Sequence, residues 1–234
     1  MSLVVFPKRV EEGIQNMATD WWTFENLSAP TFRHYEWKNK EYSFGYGQDW
    51  RWVENKTGKS INELVRRPTG GGIVKHGFDW TYCFSIPRKH LSFDIAPLDF
   101  YKQIHLAIKY ALDNQEIHVR LQPCPAQKQK SIPGDCFTEP VGWDLIDEES
   151  EEKIAGAAMK RSRQGILLQG TIAFIQKWKV QKEELRSQII QNLSVFLKED
   201  RVEYANWPNS FVAERNKIAD WFCSLDWKRH RKRV

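Results

Sequence analysis

The chain has 234 residues, 41% of them hydrophobic, enough for a sizeable buried core and too many for a disordered chain. Its formal net charge of +5 is mild, and no run of about 18 apolar residues is present to cross a bilayer. Cys83, Cys124, Cys136 and Cys223 form no C-x-x-C pair, and the six histidines show no H-x-x-x-H spacing. Neither a disulfide framework nor a metal site is expected, and the reading is a cytoplasmic protein with reduced thiols.

The opening "MSLVVFPKRVEEG" reaches charge too soon for a secretory signal. Residues 10–27 predict a helix with Ile14, Met17, Ala18, Trp21 and Phe24 on one face. "TFRHYE" (31–36) and "EYSFGY" (41–46) predict strands around a polar turn, and "GQDWRWVEN" a short helix. "ELVRRPTGGGIV" reads as strand, glycine loop, strand, and "WTYCFSIP" (80–87) as a strand of aromatic and β-branched residues. Leu98, Tyr101, Ile104, Ile108 and Leu112 recur at helical spacing over 97–114, followed by a strand at 117–121. The proline-rich "QPCPAQKQKSIPGDC" predicts a loop, and "DEESEE" the solvated tip of a hairpin. "GILLQGTIAFI" (165–175) predicts a buried strand, and amphipathic helices follow near 180–198 and 209–223. Helices and short strands mix without βαβ alternation, so the expected class is α+β, in a single domain over 1–234. The basic tail "KRHRKRV" (228–234) reads as a solvated, frayed terminus. A nucleic-acid arm is the sharper alternative, but no helix-turn-helix spacing, zinc finger or RNA-recognition motif supports nucleic acid as a partner.

Two glycine motifs fail on inspection. "NKTGKS" (55–60) resembles the end of a phosphate loop, yet Val53 stands where its first glycine belongs; "GYGQDW" has Trp50 where a dinucleotide fingerprint needs glycine. "RRPTGGGIVKHG" (66–77) is different. Glycines let a loop take positive φ and bring backbone N–H groups against a ligand, and Arg66 and Arg67 add charge for an anion. A flexible hairpin with two surface arginines fits these residues equally well.

"RRPTGGG-x-V-x-H", followed later by "KIAGAA" (153–158) and "GILLQGTI" (165–172), resembles the biotin/lipoate protein ligase and octanoyltransferase family. "NMATD" (16–20) resembles that family's N-terminal helix motif, and "FRHYEW…YSFGYGQ" its first hairpin. The resemblance covers residues 10 to 176. It implies a mixed, largely antiparallel sheet flanked by helices, related to biotin synthetases and class II aminoacyl-tRNA synthetases. By the same resemblance Arg66, Arg67, Thr69, Gly70, Gly71, Gly72 and His76, with Gly156, Ala157, Gly170 and Thr171, would bind an acyl chain and its activated head. Lys153 would reach the acyl carbonyl, where an ammonium stabilises oxyanion charge.

The family has two chemistries. Ligases make an acyl-adenylate with ATP and Mg2+; transferases take octanoate from an acyl carrier protein through an enzyme cysteine and need no cofactor. "GDCFTEPVGWDL" (134–145) resembles the cysteine-using octanoyltransferases, with Cys136 at the nucleophile position, 17 residues before Lys153. A nearby ammonium would raise its thiolate fraction. The implied partners are an acyl carrier protein, an octanoyl or lipoyl group, and a lipoyl domain or glycine-cleavage H-type carrier protein as acceptor. Two departures stand out: Gln169 where the family often has histidine, and Gly77 where many members carry aspartate. ATP-dependent lipoate ligation and a non-catalytic acyl-binding role are the alternatives.

Overall fold

The computed structural model describes residues 2–26, 28–124, 134, 141–174 and 178–233. In chain order the elements are β1 (Ser2–Glu11), α1 (Gly13–Asn26), β2 (Thr31–Trp37), β3 (Tyr42–Phe44), α2 (Trp50–Thr57), β4 (Leu64–Arg66), β5 (Val74–Lys75), β6 (Trp80–Pro87) and α3 (Pro97–Asp113). Then follow β7 (Val119–Leu121), β8 (Leu145–Asp147), β9 (Lys153–Arg161), β10 (Gly165–Ile172), α4 (Lys182–Leu197), β11 (Arg201–Tyr204), α5 (Phe211–Cys223) and α6 (Leu225–His230).

Among the described residues, eight strands form one sheet in the order β11-β1-β2-β6-β10-β9-β8-β7. β1 pairs parallel with β11 and β2, and the other neighbours pair antiparallel, so the expected mixed, largely antiparallel α+β sheet is present. The sheet's central strands are buried on both faces, and their side chains alternate between two cores. Trp80, Tyr82, Phe84 and Ile86 of β6, with Ile166, Leu168 and Ile172 of β10, pack in the core that includes α3 and α4. Cys83 and Leu167 pack in the opposite core, with Met17, Trp21 and Phe24 of α1 and Trp221 and Phe222 of α5. This alternation sends Gln169 and Thr171 to the α1 side.

A second sheet, β4-β3-β5, lies beside the first. The strands expected around "WKNK" therefore do not form a hairpin: β2 is flanked on both edges by β1 and β6, which leaves no edge for β3, and β3 pairs with β4 and β5 instead. The two discarded glycine motifs are helix punctuation. Gly58 (φ 68) is the left-handed C-cap of α2, Ser60 starts a capping box, and the Asp49 carboxylate accepts from Arg51 N and Trp52 N at the start of α2. Leu98, expected on the buried stripe of α3, is 56% exposed in its first turn.

The expectation of a frayed basic tail is also corrected. Residues through His230 form α6, Lys228 is buried, and its Nζ donates to Asn62 O at 3.0 Å. Trp227 Nε1 donates to Arg66 O at 3.1 Å, and Arg66 Nε returns a bond to Lys228 O at 2.7 Å. Arg66 also donates from one nitrogen to Tyr46 O (2.6 Å) and Gln48 O (3.1 Å) while its guanidinium lies over the Phe44 ring. Arg66 is therefore a buried tie between the loop after β3 and α6. Arg66→Met, which keeps the apolar stem and removes the donors, is expected to cost about 2–3 kcal/mol because charged donors to several carbonyls are lost. Urea denaturation measures it; wild-type stability would show that these bonds do not hold α6.

Candidate active site

The glycine loop joins β4 to β5. Gly71 has φ +82, a conformation that side-chain-bearing residues rarely adopt. The close approach is made by a different glycine: a Cβ on Gly45 would lie 2.0 Å from Gly71 O, whereas one on Gly70 would meet nothing within 4 Å. The loop is held from inside by Arg67, which donates to Gly70 O (3.0 Å), Gly72 O (2.7 Å) and Ser43 Oγ (2.6 Å). Thr69 fastens it to the large sheet, with Oγ1 donating to Gln169 Oε1 at 2.7 Å.

Behind the loop lies a cleft. Met17, Tyr35 and Trp37 form one wall, Gly156, Ala157 and Gly170 the other, and Arg67, His76, Gln169 and Thr171 add polar groups. A Cβ on Gly170 would fall 2.3 Å from Tyr82 OH, on the far side of this wall.

His76 is stacked on Trp37 with ring centroids 3.7 Å apart. Its Nδ1 lies 2.7 Å from Asp79 Oδ2 and its Nε2 2.7 Å from Ser43 Oγ. Burial, reinforced by Arg67, pushes the imidazole pKa below its ordinary value although Asp79 opposes this. Burial alone would raise the Asp79 carboxyl, but His76, Thr171 and Thr81 together hold it well below the usual carboxylate range. One proton arrangement satisfies every group: Arg67 donates to Ser43 Oγ, Ser43 donates to Nε2, and Nδ1–H of a neutral ring donates to the Asp79 carboxylate.

Lys153, the first residue of β9, is buried, with Nζ 2.8 Å from Asp144 Oδ2. Tyr101 OH donates to Asp144 Oδ1 at 2.6 Å and accepts from Ala157 N at 2.9 Å, while Val141 N donates to Asp144 Oδ2 at 2.7 Å. The ammonium packs directly behind the cleft wall, since a Cβ on Gly156 would fall 2.5 Å from Lys153 Cε and 2.7 Å from its Nζ. Cys136 lies outside the described residues.

Residues 12–215 match the lipoyl protein ligase A/B catalytic domain family. The chain belongs to that family. It is 33% identical over 163 residues to an octanoyltransferase LipM of Oceanobacillus iheyensis, covering 66% of this chain and 57% of that protein. It is 29% identical over 162 residues to the Brevibacillus brevis LipM, covering 63% and 55%. The chain thus spans little more than half the length of these curated relatives. In fold it is similar to a bi-partite lipoate protein ligase from Thermoplasma acidophilum, with TM-score 0.72 at 15% identity over 100% of this chain and 98% of that one. A lipoate-protein ligase A bound with ATP gives TM-score 0.73 at 16% identity, covering 97% and 98%.

Within this lipoyl ligase-type fold, Arg67, His76, Gly156, Ala157, Gly170 and Thr171 share the cleft, Gly70 and Gly71 line the adjoining mouth, Gly72 binds Arg67, and Thr69 reaches Gln169. Arg66, expected at the substrate, instead points its guanidinium at backbone carbonyls of residues 46, 48 and 228. Sequence reasoning passed over Asp144, Tyr101, Ser43, Asp79 and Gly45. Asp144 stands in the quoted "GWDL", and a buried lysine's need for a counter-charge was the available signal.

Two outcomes follow. Gly45→Ala should displace the loop and lower stability by about 1–3 kcal/mol, while Gly70→Ala, with open space around it, should melt like wild type; equal melting of both would mean that the loop gives way freely. For His76, the lowered folded pKa means that the unfolded chain binds more protons below about pH 6.5, so stability falls as pH drops below that value. His76→Gln removes this contribution and should flatten the dependence of unfolding free energy between about pH 6.5 and 5. An unchanged slope would mean that His76 takes up protons alike in the folded and unfolded chains.

Proposed function

We propose that this protein is an acyltransferase of protein lipoylation, moving an octanoyl group from an acyl carrier thioester through Cys136 to a lysine of a lipoyl domain. The observation that carries the reading is the buried Lys153–Asp144 pair directly behind Gly156, a wall residue of the apolar cleft. The cleft takes the acyl chain, with Arg67, His76, Gly156, Ala157, Gly170 and Thr171 around it. The glycine loop closes over the carboxyl end.

In the first step the Cys136 thiolate adds to the thioester carbonyl. Charge develops on the carbonyl oxygen, and Lys153 stabilises it. Collapse expels the carrier thiolate, which takes up a proton, and leaves an octanoyl thioester on Cys136. Exchange of one thioester for another is nearly isoenergetic, so little driving force is needed. In the second step the acceptor lysine, as free amine, attacks that thioester and loses a proton. An amide forms and the Cys136 thiolate is released. Asp144, itself fixed by Tyr101 and Val141 N, sets the ammonium's position. A glycine-cleavage H-type protein is an acceptor of the same kind, a lipoyl group fits the same route, and the cytoplasm is the matching compartment. Transfer needs no cofactor; ATP and Mg2+ belong to the alternative of lipoate ligation. The resemblance of "GDCF" to cysteine-using transferases, and the identity to LipM proteins, favour transfer.

With octanoyl carrier protein as donor, wild type should accumulate an octanoyl adduct on Cys136 by mass spectrometry, and Cys136→Ala should lose transfer while remaining folded. Lys153→Met should lower the rate on the order of 100- to 1000-fold, as for other lost oxyanion donors. Asp144→Asn should lower kcat with little change in the donor KM, because it misplaces the ammonium and leaves the cleft intact. Wild-type transfer by Cys136→Ala, or acylation that requires ATP, would move the assignment to a ligase.

A further inference from the structure

A second cleft adjoins the glycine loop, lined by Tyr46, Gly47, Gly70, Gly71, Lys160 and Arg161 among others. Cations from distant parts of the chain converge on its rim. Lys160 Nζ lies 5.4 Å from the Tyr46 ring centroid, and Arg231 Cζ lies 5.6 Å from the same ring. Outside the cleft lining, Arg229 and Arg51 lie over Trp50 at 4.7 and 4.6 Å. Arg161 is a different case, because its guanidinium is taken up by Ile95 O and Phe93 O. Among the described residues, Lys160, Arg229, Arg231 and Arg51 have no carboxylate partner. Asp49, just before α2, caps that helix. The amides of Gly70 and Gly71 likewise donate to no acceptor among the described residues. Tyr46 is 37% exposed, so an aromatic face stands open between two unneutralised cations.

Position along β9 separates this rim from the chemistry. Lys153 Nζ lies beside Gly156, and Lys160 is four residues further along β9, about 13 Å at the rise of an extended strand. An anion held at the rim by Lys160 is therefore set apart from the Lys153 ammonium. A phosphate that is joined to the acyl sulfur by a long amide-containing arm can reach both places at once.

We infer that the Tyr46–Lys160–Arg231 rim is the docking surface for the acyl donor, an acidic carrier protein whose acyl group rides on a phosphate-linked arm, with the phosphate received between the two cations. The inference rests on the transferase reading for its choice of donor. Rim charges of this kind act on encounter and on salt dependence more than on the chemical step.

The test is fluorescence anisotropy of a labelled carrier protein, with and without its phosphopantetheine arm, titrated with wild type and with the double variant Lys160→Gln, Arg231→Gln. Wild type should bind the armed carrier more tightly than the bare one, and added salt should weaken that binding. The double variant should weaken it on the order of ten-fold, as expected for lost charged contacts, with an unchanged melting temperature. Binding of an isolated lipoyl domain should not change. Equal affinity for armed and bare carrier, unchanged binding by the variant, or a loss confined to the lipoyl domain would each overturn the inference. Transfer from octanoyl-pantetheine, which lacks the phosphate, is measured alongside. No transfer from any donor by a wild-type protein that still binds the armed carrier would remove the transferase reading and leave the docking surface standing.

Discussion

The site depends on a carboxylate with no access to water. Asp20 on α1 is fully buried and accepts from Arg33 Nε at 2.6 Å, Tyr35 OH at 2.9 Å and Gln169 Nε2 at 2.6 Å. A buried ion pair is tolerable only when further hydrogen bonds complete it, and removing one partner leaves a desolvated charge. The carboxylate is on α1 and its partners come from β2 and β10, so satisfying it fixes a helix against two strands. Arg33 also donates to Asn16 O one turn earlier on α1, which sets the helix in azimuth as well as height. Met17, Tyr35 and Gln169, which line the cleft, take their places from this arrangement.

Gln169 carries the constraint onward. Its amide nitrogen faces Asp20 and its oxygen accepts from Thr69 in the glycine loop. A histidine, frequent in the family at this position, could also donate with one nitrogen and accept with the other, but only while neutral. The glutamine makes both bonds at any pH. The departure from the family pattern thus leaves the loop tethered and removes one titratable group from the tether.

Much of the fold was legible because periodicity and turn residues agree locally: α1, α3, β6, β10 and the hairpin of β8 and β9 fall where their patterns put them. The failures share a cause, which is partners distant in sequence. β1 contains Pro7, and its register shifts between Phe6 and Arg9, so a strand that pairs on both edges reads locally as interrupted. Arg66 looked like an anion ligand because its decisive acceptor, Lys228 O, is 162 residues away. The tail looked solvated because seven residues, five of them Lys or Arg, give no hint that Trp227, Lys228 and the carbonyl of Lys232 are anchored by Arg66, Asn62 and Trp221. Lys153 and the small residues of its strand were visible as a motif, whereas Tyr101, which orients the lysine's counter-ion, sits on α3 and was readable only as one more apolar position of a helix.

The second departure, Gly77 in place of an aspartate, is made good in space. Gly77 has φ +116, and a Cβ there would lie 3.0 Å from Lys40 Cγ, so this backbone does not suit an aspartate at that position. The turn that glycine permits brings Asp79 back: its Oδ1 accepts from Gly77 N at 3.0 Å while its Oδ2 faces His76 Nδ1 at 2.7 Å. The carboxylate that the sequence pattern lacks beside the histidine is supplied two residues later. From there it also accepts from Thr81 on β6 and Thr171 on β10, so the histidine under the cleft is fixed to the large sheet rather than to its own loop. Because the ring is neutral and each of its nitrogens has one partner, the chain from Arg67 through Ser43 and His76 to Asp79 has a single satisfied proton arrangement. The glycine loop at one end and the central strands at the other are therefore coupled through hydrogen bonds that cannot be reversed without leaving a buried donor unmet.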